Sequence, residues 1–150
     1  MAVGKVTVLD TALRKLGAGI IDLDSDTFKV ALLGADQPVA ADFSGVSGDA
    51  RFADLTDEVI GAGYTAGGQS LSNASWEGSG PAVAFSADPV TWPGLDATVK
   101  YAVIYKTAGN LDILAFFDID DALPGGRVVS SSDFTINWTG GLFSLTRQDA

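Results

Sequence analysis

Residues 99–118 read Val99-Lys-Tyr-Ala-Val-Ile-Tyr-Lys106, Thr107-Ala-Gly109-Asn110 and Leu111-Asp-Ile-Leu-Ala-Phe-Phe-Asp118. In the first of these, Val99, Tyr101, Val103 and Tyr105 alternate with Lys100, Ala102, Ile104 and Lys106, the period-two pattern of a strand. Leu111–Asp118 reads as a second strand, and the Thr-Ala-Gly-Asn stretch joins the two as a turn. The decisive stretch is therefore sheet, not helix.

The same pattern recurs on both sides. Downstream, Phe134, Ile136 and Trp138 alternate with Thr135, Asn137 and Thr139, and Leu142–Thr146 follows as another strand. Gly140-Gly141 between them predicts a tight hairpin. Leu123-Pro-Gly-Gly126 is a turn signal. Upstream, Val83–Phe85, Gln69–Trp76 and Phe28–Leu33 read as strands, the last with Phe28, Val30 and Leu32 on one side. Short strands between glycine-rich turns predict a mainly β fold, a β-sandwich or jelly-roll-like barrel.

One helix is expected, over about residues 5–17. Val6, Leu9, Leu13 and Leu16 are spaced to share a face, Arg14 and Lys15 suit its last turn, and Gly17 fits the position after the C-cap. Asp54–Val59 suggests a short helical turn. Residues 34–53 are rich in Ala, Gly, Ser, Asp and Pro and predict a long excursion loop, a feature that usually has a role or a partner. No repeat, linker or heptad divides the chain, and its 150 residues suit a single domain spanning 1–150.

Composition narrows the chemistry. The chain has no histidine and no cysteine. That removes Ser-His-Asp and Cys-His catalysis and the usual zinc, haem and iron–sulfur sites. Nineteen acidic against nine basic residues give a net charge of −10, which disfavours nucleic acid and anionic membranes as partners. The opening MAVGKVTVLD has no apolar signal core or cleavage site, and no apolar run reaches the roughly 18 residues of a membrane span.

What remains are acidic clusters and large aromatics. Asp22, Asp24 and Asp26 match the first ligand positions of a calcium loop, but Thr27 stands where glycine is needed and Leu33 where glutamate is needed. They stay weak metal candidates beside the simpler reading of a polar turn. Asp118, Asp120 and Asp121 could join Asp112 or the first cluster to bind a cation, or serve as a carboxylate pair, although acidic residues at turns are common. Gly61-Ala-Gly63-Tyr64-Thr-Ala-Gly67-Gly68 lacks the Lys-Ser/Thr of a phosphate loop and reads as bends where strands cross over. Trp138 belongs to the core by its alternation. Trp92, between Pro89 and Pro93, reads as a core lid before a sugar platform or partner anchor. No catalytic residue, cofactor or metal is expected, and the chain is not expected to be an enzyme.

The order of segments resembles a group of tailed-bacteriophage virion proteins described as structural, head or minor-tail proteins. The resemblance is carried by Ile21–Leu33, by Glu58-Val-Ile-Gly-Ala-Gly-Tyr-Thr-Ala-Gly-Gly68, by Phe85–Trp92, by Ala97–Lys106 and by Asp133–Trp138. It runs through most of the chain outside residues 34–53, and its most specific marks are E-V-x-G-x-G-Y and A-V-I-Y-K. It implies a non-enzymatic virion protein, first a decoration or cement protein on the outer face of the major capsid shell. A tail or tail-tip accessory protein and a carbohydrate-binding module for host contact are the alternatives. The implied partners are the major capsid protein or other virion proteins and further copies of the chain, in a virion assembled in the host cytoplasm. Contacts are expected from the helix and the long loop, with Val6, Leu9, Leu13, Phe43, Arg51, Phe52 and Trp92 as the residues involved.

Overall fold

The computed structural model describes residues 6–35, 50–120, 122–138 and 141–147. The fold is mainly β and sandwich-like, with one N-terminal helix. The elements in order are β1 (Thr7–Val8), α1 (Asp10–Gly17), β2 (Phe28–Leu33), β3 (Gln69–Ser70), β4 (Ser75–Ser79), β5 (Ala82–Ser86), β6 (Val90–Val99), β7 (Tyr101–Lys106), β8 (Ile113–Asp118), β9 (Arg127–Ile136) and β10 (Phe143–Thr146), with a 3₁₀ turn at Phe52–Asp54. They form antiparallel sheets ordered β1-β8-β7-β2-β3, β10-β5-β4 and β6-β9.

The strands expected near 28–33, 99–106 and 111–118 form the middle of the central sheet as β2, β7 and β8. β2 occupies Phe28–Leu33 and pairs along its length with β7, from Phe28↔Lys106 to Leu33↔Tyr101. β7 and β8 pair across the Thr107–Asn110 turn. Val30, Ala31, Leu32 and Leu33 are each completely buried, so both faces of this strand are covered. On one face Phe28 meets Phe85 edge-on at 5.4 Å, and Phe117 meets Trp138 at 5.4 Å. Tyr105 pairs with Lys29, the neighbour of Phe28, and so points to the opposite face, where Phe52 stacks on it at 4.1 Å.

Several expected boundaries move, each for a physical reason. The segment expected to begin the helix is partly strand: Thr7 and Val8 pair with Phe116 and Ala115 of β8, whose edge accepts a β-branched pair. Leu9 is the extended N-cap, and α1 spans Asp10–Gly17. Val6, Leu9, Leu13 and Leu16 therefore do not form one helical stripe. Leu9 and Ala12 are buried, whereas Leu13 is half-exposed. The helix closes one turn-half later than Gly17 suggested. Gly19, at φ +73, donates to Leu16 O while Ile20 donates to Lys15 O, the paired bonds of a Schellman cap.

Val99 ends β6 instead of opening β7, with Lys100 as the break between them. Gln69–Trp76 is divided between two sheets, with Asn73 at φ 52 in the bend. β9 and β10 are not a hairpin, because β9 pairs with β6 and β10 with β5. The helical turn expected at Asp54–Val59 lies at Phe52–Asp54, and Val59 N–H instead bonds Leu32 O at 3.0 Å along the edge of β2. Of the expected 34–53 loop, residues 36–49 lie outside the described residues. Its end runs against β8, where Ile113 N–H bonds Ala50 O at 3.0 Å.

Candidate interaction surface

The Schellman cap turns the chain back against α1, so that Ile21 and Leu23 are buried while Ile20 stays 52% exposed. The next residues form a compact polar turn. The Asp22 carboxylate accepts Asp24 N–H at 3.0 Å and the Ser25 hydroxyl at 2.7 Å, and these bonds hold its pKa below the usual carboxylate value. Asp26 accepts Asp22 N–H at 2.8 Å and pairs with Lys106 at 3.0 Å, while Lys106 also donates to Ile20 O at 2.8 Å. Lys106 thus fastens the turn to β7. The three aspartates are not placed together to hold a metal ion, and the carboxylates of Asp22 and Asp26 are used in holding the turn.

Between α1, this turn and the three-stranded sheet lies a groove of about 540 Å³. α1 contributes Leu13, Leu16 and Gly17. The turn adds Gly19 to Leu23 without Ile20, and the sheet adds Trp76 of β4 and Leu145 of β10. Leu13 is 50% and Leu145 55% exposed, so two large apolar side chains of the lining are left half in solvent. Trp76 is held from behind by Phe143 at 6.2 Å between ring centres. The volume and the apolar lining suit a docked apolar group.

The expected contact residues disperse. Leu13 lines the groove, Val6 is half-buried at the start of the chain described, and Arg51 is exposed, its backbone paired with that of Asp112 in an isolated antiparallel bridge. Phe52 has one face occupied by Tyr105. Leu9 and Trp92 are core residues, 2% and 1% exposed, and present no surface to a partner. Trp92 is therefore a core side chain and not a sugar platform. Phe43 lies outside the described residues. Trp76 and Leu145 were not singled out by the sequence, since nothing local marks either one.

The second acidic cluster is structural. Asp118 lies 2.6 Å from the buried Lys100 ammonium, which also donates to Leu123 O at 3.0 Å. Asp120 faces Arg127 at 3.7 Å and accepts Ala122 N–H, and Asp121 lies outside the described residues. Asp112 pairs with Lys15 at the other end of β8. Asp112 and Asp118 are six positions apart along extended chain, roughly 20 Å, too far to act together as a carboxylate pair. Among the described residues, no group of three or more acidic side chains is placed to hold a metal ion, and no helix is long and apolar enough to cross a membrane.

The glycine-rich stretch is a strand crossover, as its composition suggests. It leaves β2 after Val59, bonds β6 through Asp96 N–H to Ala62 O, and returns to β2 at Gln69. Gly68, at φ +80, lies so close to Val30 that a Cβ would overlap the Val30 carbonyl. Tyr105 hydroxyl donates to Gly67 O at 2.6 Å and pins the same segment. No family model, curated protein or solved structure matches this chain.

Proposed function

We propose that this chain is a non-enzymatic structural protein of a tailed-phage particle, which decorates the outer surface of the major capsid shell. The reading is carried by the groove beside α1, where Leu13 and Leu145 stay half-exposed around an apolar depression. Such a feature is suited to holding an apolar ridge of a neighbouring subunit. Placement in a phage particle rests on the segment order and the E-V-x-G-x-G-Y and A-V-I-Y-K stretches. Asp26, Asp112, Asp118 and Asp120 are each paired with a lysine or arginine, which supports a role through contact instead of turnover.

Avidity suits this arrangement. A single groove buries little surface, but many copies on a symmetric shell multiply weak contacts. The test is co-sedimentation of the purified chain with empty phage heads and, separately, with isolated tails. Leu13→Glu and Leu145→Glu are expected to abolish sedimentation with heads while leaving thermal unfolding unchanged. Sedimentation with tails alone would move the protein to the tail. Sedimentation with neither would remove the virion reading.

A further inference from the structure

The chain carries an apolar knob as well as an apolar groove. Ile60 is 96% exposed, the most exposed of the large apolar side chains described. The residues that follow it, Gly61-Ala-Gly63, add almost no bulk, so it stands on a narrow tip. That tip is fixed: Asp96 N–H bonds Ala62 O at 2.9 Å and Tyr64 N–H bonds Gly61 O at 3.3 Å. A single exposed isoleucine is ordinary by itself. Its place in the fold is what matters.

Knob and groove lie at opposite ends of the central strand. Val59 N–H bonds Leu32 O and Glu58 bridges Leu33, which sets Ile60 at the Leu33 end of β2. The groove is at the Phe28 end. There Lys106, paired with Phe28, donates to Ile20 O in the turn that walls the groove. Phe85, the partner of Trp76 in the lining, meets the Phe28 ring. The 6 residues of β2 put roughly 17 Å between the two ends. Surfaces placed in this way cannot meet within one chain, and contact between them joins copies head to tail.

Charge favours the same pairing. From Phe52 to Val99 the sequence has acidic residues and no lysine or arginine, and Asp57 and Asp96 are the ones next to the tip. Beside the groove, Arg14 is exposed next to Leu13 and has no acidic partner among the described residues. The Asp22 carboxylate is occupied by Asp24 and Ser25 of its own turn. Two chains of net charge −10 repel, but at about 0.15 M salt that repulsion is screened beyond about 8 Å. The contact itself is shorter-ranged than that.

We infer that the groove beside α1 takes the Ile60 tip of a second copy of this chain. The contact is heterologous, so each added copy leaves one tip and one groove open and the assembly grows into a ring or a filament. This deepens the proposed function, on whose reading of the groove it rests, by naming the neighbouring subunit as another copy.

The test is sedimentation of the full chain alone, up to about 1 mM and at about 0.15 M salt. Mass is expected to rise with concentration beyond that of a dimer. Ile60→Glu and Leu13→Glu should each weaken association by about tenfold or more, and Arg14→Glu by about two- to fivefold. Leu145→Glu serves in place of Leu13→Glu should the latter fail to fold. The decisive sample mixes Ile60→Glu, which keeps its groove, with Leu13→Glu, which keeps its tip. One contact remains possible there, so the mixture should stop at a pair of unlike chains. A monomer at every concentration, a dimer that grows no further, indifference to Ile60→Glu, or a mixture that grows past two chains would each overturn the inference. No phage head is present in this assay, so a monomeric chain that still sediments with heads overturns this inference alone.

Discussion

The Tyr64 hydroxyl donates to Glu58 Oε1 across 2.6 Å and accepts Leu32 N–H at 3.2 Å, so one phenol ties the glycine-rich crossover to the central strand. The same Glu58 oxygen takes Gly67 N–H at 2.6 Å. Residues that are far from one another along the crossover are thereby held at one point on β2. Glu58 and Tyr64 are the E and Y of the E-V-x-G-x-G-Y stretch and Gly67 lies in its continuation, which gives the carboxylate and the tyrosine a joint part in holding the segment. The role is structural.

Tyr64→Phe leaves Leu32 N–H without its acceptor and removes a donor from Glu58. The expected cost at neutral pH is about 1–3 kcal/mol, measured by urea denaturation. Burial, reinforced by the Glu58 carboxylate, raises the Tyr64 hydroxyl well above the 10.0 of a free tyrosine. The folded chain therefore keeps the proton where the unfolded chain loses it. The hydroxyl's contribution is intact below the unfolded pKa and declines as pH rises above it. The stability difference between wild type and Tyr64→Phe should accordingly be constant from pH 7 to about 9 and narrow above about 10. A difference that stays flat or widens there would contradict this account.

Gly68 and Gly80 separate close approach from conformational strain. Both have positive φ, +80 and +71, but a Cβ at Gly68 would strike Val30, whereas Gly80 faces open space. Gly80→Ala should cost about 1 kcal/mol, the strain of a left-handed alanine. Gly68→Ala adds displacement of β2 or of the crossover and should cost about 3 kcal/mol or more. Thermal unfolding of the two variants side by side checks the ordering.

What could be read in the sequence was local. Phe28–Leu33 was legible because an apolar run is fenced by Asp-Ser-Asp-Thr on one side and Gly34 on the other. The β7–β8 turn was legible because Gly109-Asn110 separates two patterned runs. β1 was not, since Val6, Leu9, Leu13 and Leu16 fit a helical face equally well. What decides the matter is the open edge of β8, more than a hundred residues away in the chain. β6 was hidden by Pro89 and Pro93 and by the register shift between Trp92 and Leu95, which breaks the alternation that would have betrayed it. Gly140-Gly141 suggested a hairpin between the last two strands, whereas β9 pairs with β6 and β10 with β5, because a turn signal does not say which strand the chain meets next. The groove was out of reach for the same reason: it joins residues of α1, β4 and β10 that only the fold brings together.

Lys100 and Asp118 form a pair whose halves differ in exposure: the lysine side chain is 7% exposed and the aspartate 24%. Asp118→Ala would leave the ammonium buried with carbonyl partners alone, and should cost about 3 kcal/mol. Lys100→Met removes the charge that needs compensation, so the double variant should be more stable than Asp118→Ala by itself. A double-mutant cycle by chemical denaturation measures this coupling. If the double variant proves less stable than Asp118→Ala, the lysine contributes through Leu123 and its turn more than through Asp118.

Trp92 tests whether the β6–β9 ribbon depends on the core beneath it. The ring is 1% exposed and packs on Phe134 at 6.0 Å, beside the register shift where Pro93 and Gly94 interrupt pairing. With backbone bonds weakened at that point, side-chain packing has to hold β6 in place. Trp92→Ala should therefore cost about 3–5 kcal/mol. Trp92→Phe should cost much less, because it keeps an aromatic ring and removes an Nε1–H that has no hydrogen-bond partner among the described residues. Hydrogen exchange gives the sharper reading. In Trp92→Ala, amides of 90–99 and 127–136 should lose protection before those of β2, β7 and β8. Uniform loss across all strands would mean that the ribbon and the central sheet unfold as one unit, with Trp92 belonging to both.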